Sequence, residues 1–188
     1  MDDSAVEARW AKLTLLLEPI HANAVTTARR LCRSGADGDD LYQETVLTAF
    51  EKFGSLRNES SFRSWFFAVL LSRHRSRARR AFWRRFTSLE VELAGGRDPG
   101  VASDSHLVLS NDRITRALAA LPAVQREAIV LFEMDGFSIE EITGLQRVSL
   151  SAVKSRLVRG RQALRSYYER RGWVQRAEGA PVSEGGLA

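Results

Sequence analysis

Little in this sequence suits covalent or metal chemistry. Its one cysteine, Cys32, has no partner for an internal disulfide and is expected to be a free, part-buried thiol. The three histidines, His21, His74 and His106, stand far apart, and neither a His-Glu-x-x-His pattern nor a paired-cysteine motif occurs, so no metal is expected. Gly95-Gly96 follows no strand pattern and precedes no nearby Lys-Ser or Lys-Thr pair, which argues against a phosphate-cradling loop. Nothing arranges a serine, a histidine and an acid as a triad. The chain is therefore expected to be no enzyme, with no cofactor and no small-molecule substrate. The longest apolar run, Trp65 to Leu71, is far short of the roughly 20 residues a membrane helix needs. The acidic start Met1-Asp2-Asp3 lacks the basic and apolar segments of a secretory leader. No membrane insertion and a cytoplasmic location follow as expectations.

What is present is helical periodicity and unevenly placed charge. The 188 residues carry a net charge of +5. Residues 1–52 hold nine acids against six bases, whereas Arg73 to Arg85 contains seven arginines and no acid. Arg147 to Arg171 contains eight basic residues against Glu169 alone. Such asymmetry suits different partners on different surfaces, although each run alone would also suit a solvated helix face.

Apolar residues recur at helical spacing and no alternation marks a strand, so an all-α fold is expected. Residues 4–33 read as one or two helices with a break around Pro19. Asp37 to Asp40 supply the acidic start of the next helix, whose stripe is Tyr42, Val46, Ala49, Phe50 and Phe53, and Gly54 ends it. A long helix begins at Ser60 or Ser61 and runs to about Arg85, with Phe62, Trp65, Phe66 and Val69 inward. Gly95-Gly96 and Asp98-Pro99-Gly100 break the periodicity, so 87–111 reads as a flexible linker. Two small helical domains are thus expected, 1–86 and 112–171, with a mobile tail over 172–188. Phe82 and Trp83 could stack on bases, but packing against the linker is the preferred reading.

Residues 138–165 have the layout of a helix-turn-helix. Ser138 and Glu141 form a capping-box pattern for a short helix, and Ser149 starts a longer basic one. The second helix could enter a major groove about 12 Å wide. Val148, Val153, Leu157 and Leu164 would face the core, while Lys154, Ser155, Arg156, Arg159 and Arg161 would face outward. The spacing by itself also fits a plain helical bundle.

The wording is more specific than the spacing. Leu121-Pro122-x-x-Gln125-Arg126-Glu127, Gly136-x-Ser138-x-Glu140-Glu141-Ile142 and Val153-Lys154-Ser155-Arg156-Leu157 resemble region 4 of the extracytoplasmic-function sigma factors. Asp39-Asp40-Leu41-x-Gln43-Glu44-Thr45, followed by Ser60-Ser61-Phe62-Arg63-Ser64-Trp65, resembles region 2 of the same family. The resemblance implies a factor that binds core RNA polymerase and directs promoter-specific initiation through −10 and −35 recognition and promoter melting. By it, Asp39, Asp40, Gln43, Glu44 and Leu47 would dock on core polymerase. Leu56, Arg57, Asn58, Ser72, Arg73, Arg75, Ser76, Arg77 and Arg80 would meet the −10 DNA. Lys154, Ser155, Arg156, Val158, Arg159 and Arg161 would meet the −35 DNA. An anti-sigma factor, which often holds members of that family, is a candidate further partner.

The sequence departs from the family pattern at Arg147, where the turn usually carries glycine and a positive φ would be strained. It departs also at Gln146, usually apolar, at Gly144, at Phe132, where a basic residue is common, and at Leu56-Arg57-Asn58, Ser72 and Ser76. Two rivals stay open on the residues alone. One is a dimeric helix-turn-helix repressor or activator with residues 1–85 as its dimerisation or sensor part, and the other is an adaptor that sequesters another protein. Only the sigma-factor reading makes core polymerase initiate.

Overall fold

A computed structural model describes residues 3–87 and 106–173, with side chains for 3–83 and 113–173. Among the described residues there is no strand. Helix α1 spans Asp3–Leu17 and α2 spans His21–Leu31, joined by a 3-10 turn over Glu18–Ile20 that contains the expected break at Pro19. Helix α3 spans Gly35–Glu51. It starts before the acidic cluster, because Ser34, not an aspartate, caps it by accepting a hydrogen bond from the Asp37 N–H.

The buried line of α3 is also turned from the expected stripe. Leu41, Thr45, Thr48 and Ala49 face inward, while Tyr42, Val46 and Phe50 are half-buried on its flank. The two threonines hide among apolar positions because each hydroxyl bonds to a carbonyl one turn back, Leu41 and Glu44 respectively. That leaves no polar atom unpaired, so a polar residue type takes a core position.

After 3-10 turns at Phe53–Ser55 and Glu59–Ser61, α4 runs from Phe62 to Thr87. Phe62 and Phe66 are buried as expected, but so are Phe67, Leu70, Leu71 and His74, whereas Trp65 and Val69 are only half-buried. The inward face is broad because α4 packs on two sides, against α2 and α3 on one and against the C-terminal unit on the other. Phe67 meets Phe137 of that unit with ring centroids 5.0 Å apart.

The C-terminal unit comprises α5 (His106–Ala119), α6 (Ala123–Ile129), α7 (Ile139–Gln146) and α8 (Leu150–Glu169). Helix α5 thus begins inside the stretch expected to be linker, and the rest of that stretch lies outside the described residues. Pro122 is the N-cap of α6. Helix α6 continues into a π-helical turn, Val130–Met134, before the chain reverses at Gly136 with φ of 67°. The capping box is present: Ser138 accepts from the Glu141 N–H while the Glu141 carboxylate accepts from the Ser138 N–H. Gly160 of α8 lies so close to α6 that a Cβ there would stand 2.8 Å from Ile129 Cγ1. Beyond α8 the chain turns back at Gly172, and Trp173 lies against Tyr168, so the expected tail starts later than 172. The remainder of that tail lies outside the described residues.

Buried residues of both units form one continuous cluster, from Leu13 and Leu41 through Phe67 and Leu71 to Phe137 and Leu157. The two helical units therefore lie packed together.

Arg147 closes α7 in the left-handed region, at φ 54° and ψ 50°, as expected from its place in the turn. A Cβ in that region costs about 1 kcal/mol. Arg147→Gly should therefore raise stability by about 0.5–1 kcal/mol, read as a shift of the urea midpoint at unchanged m-value.

Candidate nucleic-acid and polymerase interface

The acidic face of α3 projects away from its buried line. Asp40, Gln43 and Leu47 are exposed, Leu47 to 60%, and Asp39 and Glu44 are half-buried beside them. Asp39 is held by Arg29, whose Nε donates at 2.7 Å and Nη2 at 3.2 Å. Glu44 sits across from the basic helix. Its carboxylate lies 3.3 Å from Arg73, 3.5 Å from Arg77 and 4.0 Å from Arg80. Arg77 also approaches Asp37 and Asp40, at 3.8 and 4.0 Å. The residues expected to grip polymerase and those expected to grip −10 DNA thus neutralise one another along a shared seam. Spacing could not show this, since the two sets lie about thirty residues apart.

Leu56, Arg57 and Asn58 line a hollow of about 370 Å³ together with Lys12, Phe53 and Glu59. Asn58 shapes the loop by accepting from the Ser60 N–H. Ser72 is exposed nearly three turns along α4, and Arg75 and Ser76 are half-buried. Arg75 belongs to another site. Its Nη2 donates at 2.6 Å to Glu127 of α6, whose carboxylate is 1% exposed. His74 Nδ1 lies 3.1 Å from the same carboxylate. Burial pushes the Glu127 carboxyl towards neutrality, but the bonds from His74 and Arg75 outweigh it and hold it below the usual carboxylate range.

In the helix-turn-helix, Val153 and Leu157 are buried and Val148 and Leu164 half-buried, as expected. Lys154, Val158, Arg159 and Arg161 are exposed, with Ser155 and Arg156 half-buried at the edge. Two of these cations are engaged. Arg156 donates to Gln146 Oε1 at 2.7 Å, and Arg161 pairs with Glu133 at 2.6 Å while lying over the Phe132 ring at 5.5 Å. Gln146 stands buried where an apolar residue is usual because its amide also bonds to Val124 O and approaches Glu127. Phe82 and Trp83 are exposed and meet edge to face, and the linker against which they were expected to pack lies outside the described residues.

Further residues at the seam between the units escaped the sequence reading. Arg126 donates to the carbonyls of Leu31, Ala119 and Leu121. Arg63 donates to the Asp135 carbonyl and lies 3.8 Å over the Phe137 ring. The Asp135 carboxylate accepts from Thr27 Oγ1 at 2.8 Å. Cys32 is half-buried nearby, and burial raises its thiol to about 11 against the pull of Arg77 and Arg126, so it stays protonated at neutral pH. Among the described residues no group of histidine, cysteine and acidic side chains could hold a metal ion. No helix among them is long and apolar enough to cross a membrane.

A capped helix-turn-helix with a basic second helix, joined to a helical unit with acidic and arginine-rich faces, defines a DNA-binding protein of the transcription machinery. Comparison with known proteins narrows the class. Residues 16–84 match the family model for sigma-70 region 2, and residues 111–164 match that for sigma-70 region 4. The chain is 31% identical to the ECF RNA polymerase sigma factor SigM of Mycobacterium tuberculosis over 144 residues, covering 77% of this chain and 70% of the relative. It is 28% identical to the ECF RNA polymerase sigma-E factor of Escherichia coli over 137 residues, 68% and 72% of the two chains. The fold is similar to the sigma factor RpoE from Bartonella quintana, solved with the anti-sigma factor NepR, at a TM-score of 0.64 and 28% identity over 85% of this chain and 95% of that one. It is also similar to CnrH, solved with the cytosolic domain of CnrY, at a TM-score of 0.62 and 22% identity, covering 88% and 96%. The chain belongs to the extracytoplasmic-function sigma factors of the sigma-70 family. Its function is promoter-specific transcription initiation with RNA polymerase. The rival repressor and adaptor readings fall with that assignment.

Burial raises the Asp135 carboxyl to about 6, against the pull of Thr27, Arg30, Arg63 and Asn23. The folded chain thus holds this proton more tightly than the unfolded one. Its contribution to stability is present below about pH 4 and lost as pH rises through about 6, a total of roughly 3 kcal/mol by linkage. Glu127 works in the opposite sense, losing its contribution only as pH falls below the ordinary carboxylate range. Asp135→Asn should flatten the slope of unfolding free energy between about pH 4 and 6, measured by urea denaturation.

Proposed function

We propose that the two helical units divide promoter recognition between them, residues 1–86 serving core polymerase and the −10 element and 112–171 the −35 element. The observation that carries this is the exposed acidic face of α3. Asp40, Gln43, Glu44 and Leu47 lie within two turns, opposite the buried Leu41, Thr45 and Thr48. An exposed Asp40 and a half-buried Glu44 beside a bare leucine suit a basic partner surface with an apolar pocket, as a docking site on core polymerase would offer. Engagement of Glu44 by that partner would release Arg73, Arg77 and Arg80, giving −10 DNA the cations that the free chain spends internally.

Melted −10 DNA needs a pocket beside a positive track. The hollow at Leu56, Arg57 and Asn58 next to the arginines of α4 suits that need. For the −35 element, Lys154, Val158, Arg159 and Arg161 line the outer side of α8, with Ser155 and Arg156 at its edge and α7 bracing it. Arginine there can bond a guanine edge twice, and lysine or serine can hold phosphates. The chain acts by binding and catalyses no reaction itself, in the cytoplasm where the polymerase works. Its similarity to the sigma factor RpoE, solved with the anti-sigma factor NepR, supports a regulator of the same kind for this chain.

Run-off transcription tests the reading: core polymerase with the chain should initiate at its promoters, and neither should do so alone. Asp40→Lys with Glu44→Lys should abolish core association in pull-down while circular dichroism stays unchanged. Arg159→Ala should cut initiation at promoters dependent on a −35 element by ten- to a hundredfold, about 1–3 kcal/mol, scored across base substitutions in that element.

A further inference from the structure

Arg126 of α6 is a buried cation with no carboxylate of its own. It is 6% exposed, and its Nη atoms donate only to the carbonyls of Leu31, Ala119 and Leu121. Its Nε has no hydrogen-bond partner among the described residues. The adjacent Glu127 is taken by Arg75 and His74 of α4. Burial first, and the charge of Arg33 second, hold the Arg126 guanidinium below the usual arginine range. A desolvated guanidinium beside a second arginine attracts anions strongly, because little water competes for it.

Arg126 lines a second, larger hollow of about 1140 Å³, walled by residues of α2 to α6. Arg33, Arg77, Arg79 and Arg80 line it too, with Asp37 and Glu44 as the acids among its described residues. Arg77 and Arg80 already face those acids. Arg33 and Arg79 are exposed and make no ion pair among the described residues. The positive surplus is therefore Arg33, Arg79 and Arg126, none of which is assigned above to polymerase or promoter DNA.

The rest of the wall is largely apolar, with Leu31, Leu121, Pro122 and the 57% exposed Trp83. A bare inorganic anion would leave most of this space empty, since sites of roughly 300–1,000 Å³ hold whole small molecules. Arginines bind phosphate oxygens in pairs, and an indole stacks on a base. A di- or triphosphate brings several negative charges to one point, as gathered arginines favour, whereas a nucleic-acid strand brings one per residue.

We propose that this hollow binds a nucleoside di- or triphosphate, with Arg33, Arg79 and Arg126 taking the phosphates and Trp83 stacking on the base. The site is independent of how the promoter elements are divided between the two units.

Calorimetric titration of the full chain with ADP in about 0.15 M salt should show one site with a Kd of about 0.1 mM or tighter. Arg33→Ala and Trp83→Ala should each weaken it about tenfold with unchanged circular dichroism. Arg165→Ala removes an equal charge from an exposed position of α8 outside the hollow, and should leave the Kd within about twofold. Inorganic pyrophosphate, lacking a ring, should bind about tenfold more weakly than ADP. Cys32 lines the same hollow and is the only cysteine, so its alkylation by iodoacetamide reports on occupancy. Saturating ADP should slow that reaction about threefold or more. Absence of ADP binding below about 1 mM, or a Cys32 that ADP leaves unprotected, overturns the proposal. Equal weakening by Arg33→Ala and Arg165→Ala overturns it too, as does pyrophosphate binding as tight as ADP. A single-stranded tetranucleotide that protects Cys32 where ADP does not would give the hollow to nucleic acid instead.

Discussion

A carboxylate with almost no contact with water costs several kcal/mol unless cations and donors surround it. Glu127 meets that condition only because Arg75 and His74 reach it from the other helical unit. Much of the architecture is consistent with this one demand. Helix α4 must be long enough to pack on α2 and α3 with one face and still present His74 and Arg75 to α6 with another. The apolar seam around Phe67 and Phe137 keeps water from competing for the pair. Buried pairs contribute more to registry than to net stability, so Glu127 fixes where the units meet more than how tightly.

Carboxylates play the same part twice on α4. Glu44 of α3 faces Arg73, Arg77 and Arg80, and Glu127 of α6 faces Arg75. Internal counter-charge of this kind weakens the pull of an arginine-rich helix on any other polyanion. A polyanion that took these arginines would leave both carboxylates to find other partners, or water.

The local devices were legible because a few neighbouring residues define them. The Ser138–Glu141 capping box, the left-handed Arg147, the break at Pro19 and the core positions Val153 and Leu157 depend on spacings of a few residues. The family assignment was legible for the same reason, since its motifs are short ordered strings. The seam was not. Glu127 and Arg126 entered only as letters of a family motif, and nothing nearby in the chain marks them as groups that α2 and α4 bury. The inward line of α3 was misjudged because threonines that bond their own backbone pass as polar. Gln146 looked like a departure from an apolar norm, and its reason lies across the fold in Arg156 and Glu127.

The π-helical turn at Val130–Met134 amounts to one residue inserted into an α-helix, and it shifts everything after it by about 100° around the axis. Asp135 and Phe137 owe their aim at α2 and α4 to that extra step. The rotational phase of a single helix end therefore aligns the two units alongside the charges that meet between them. A relative with one residue fewer there would keep the same chemistry on each half and lose the embrace between them.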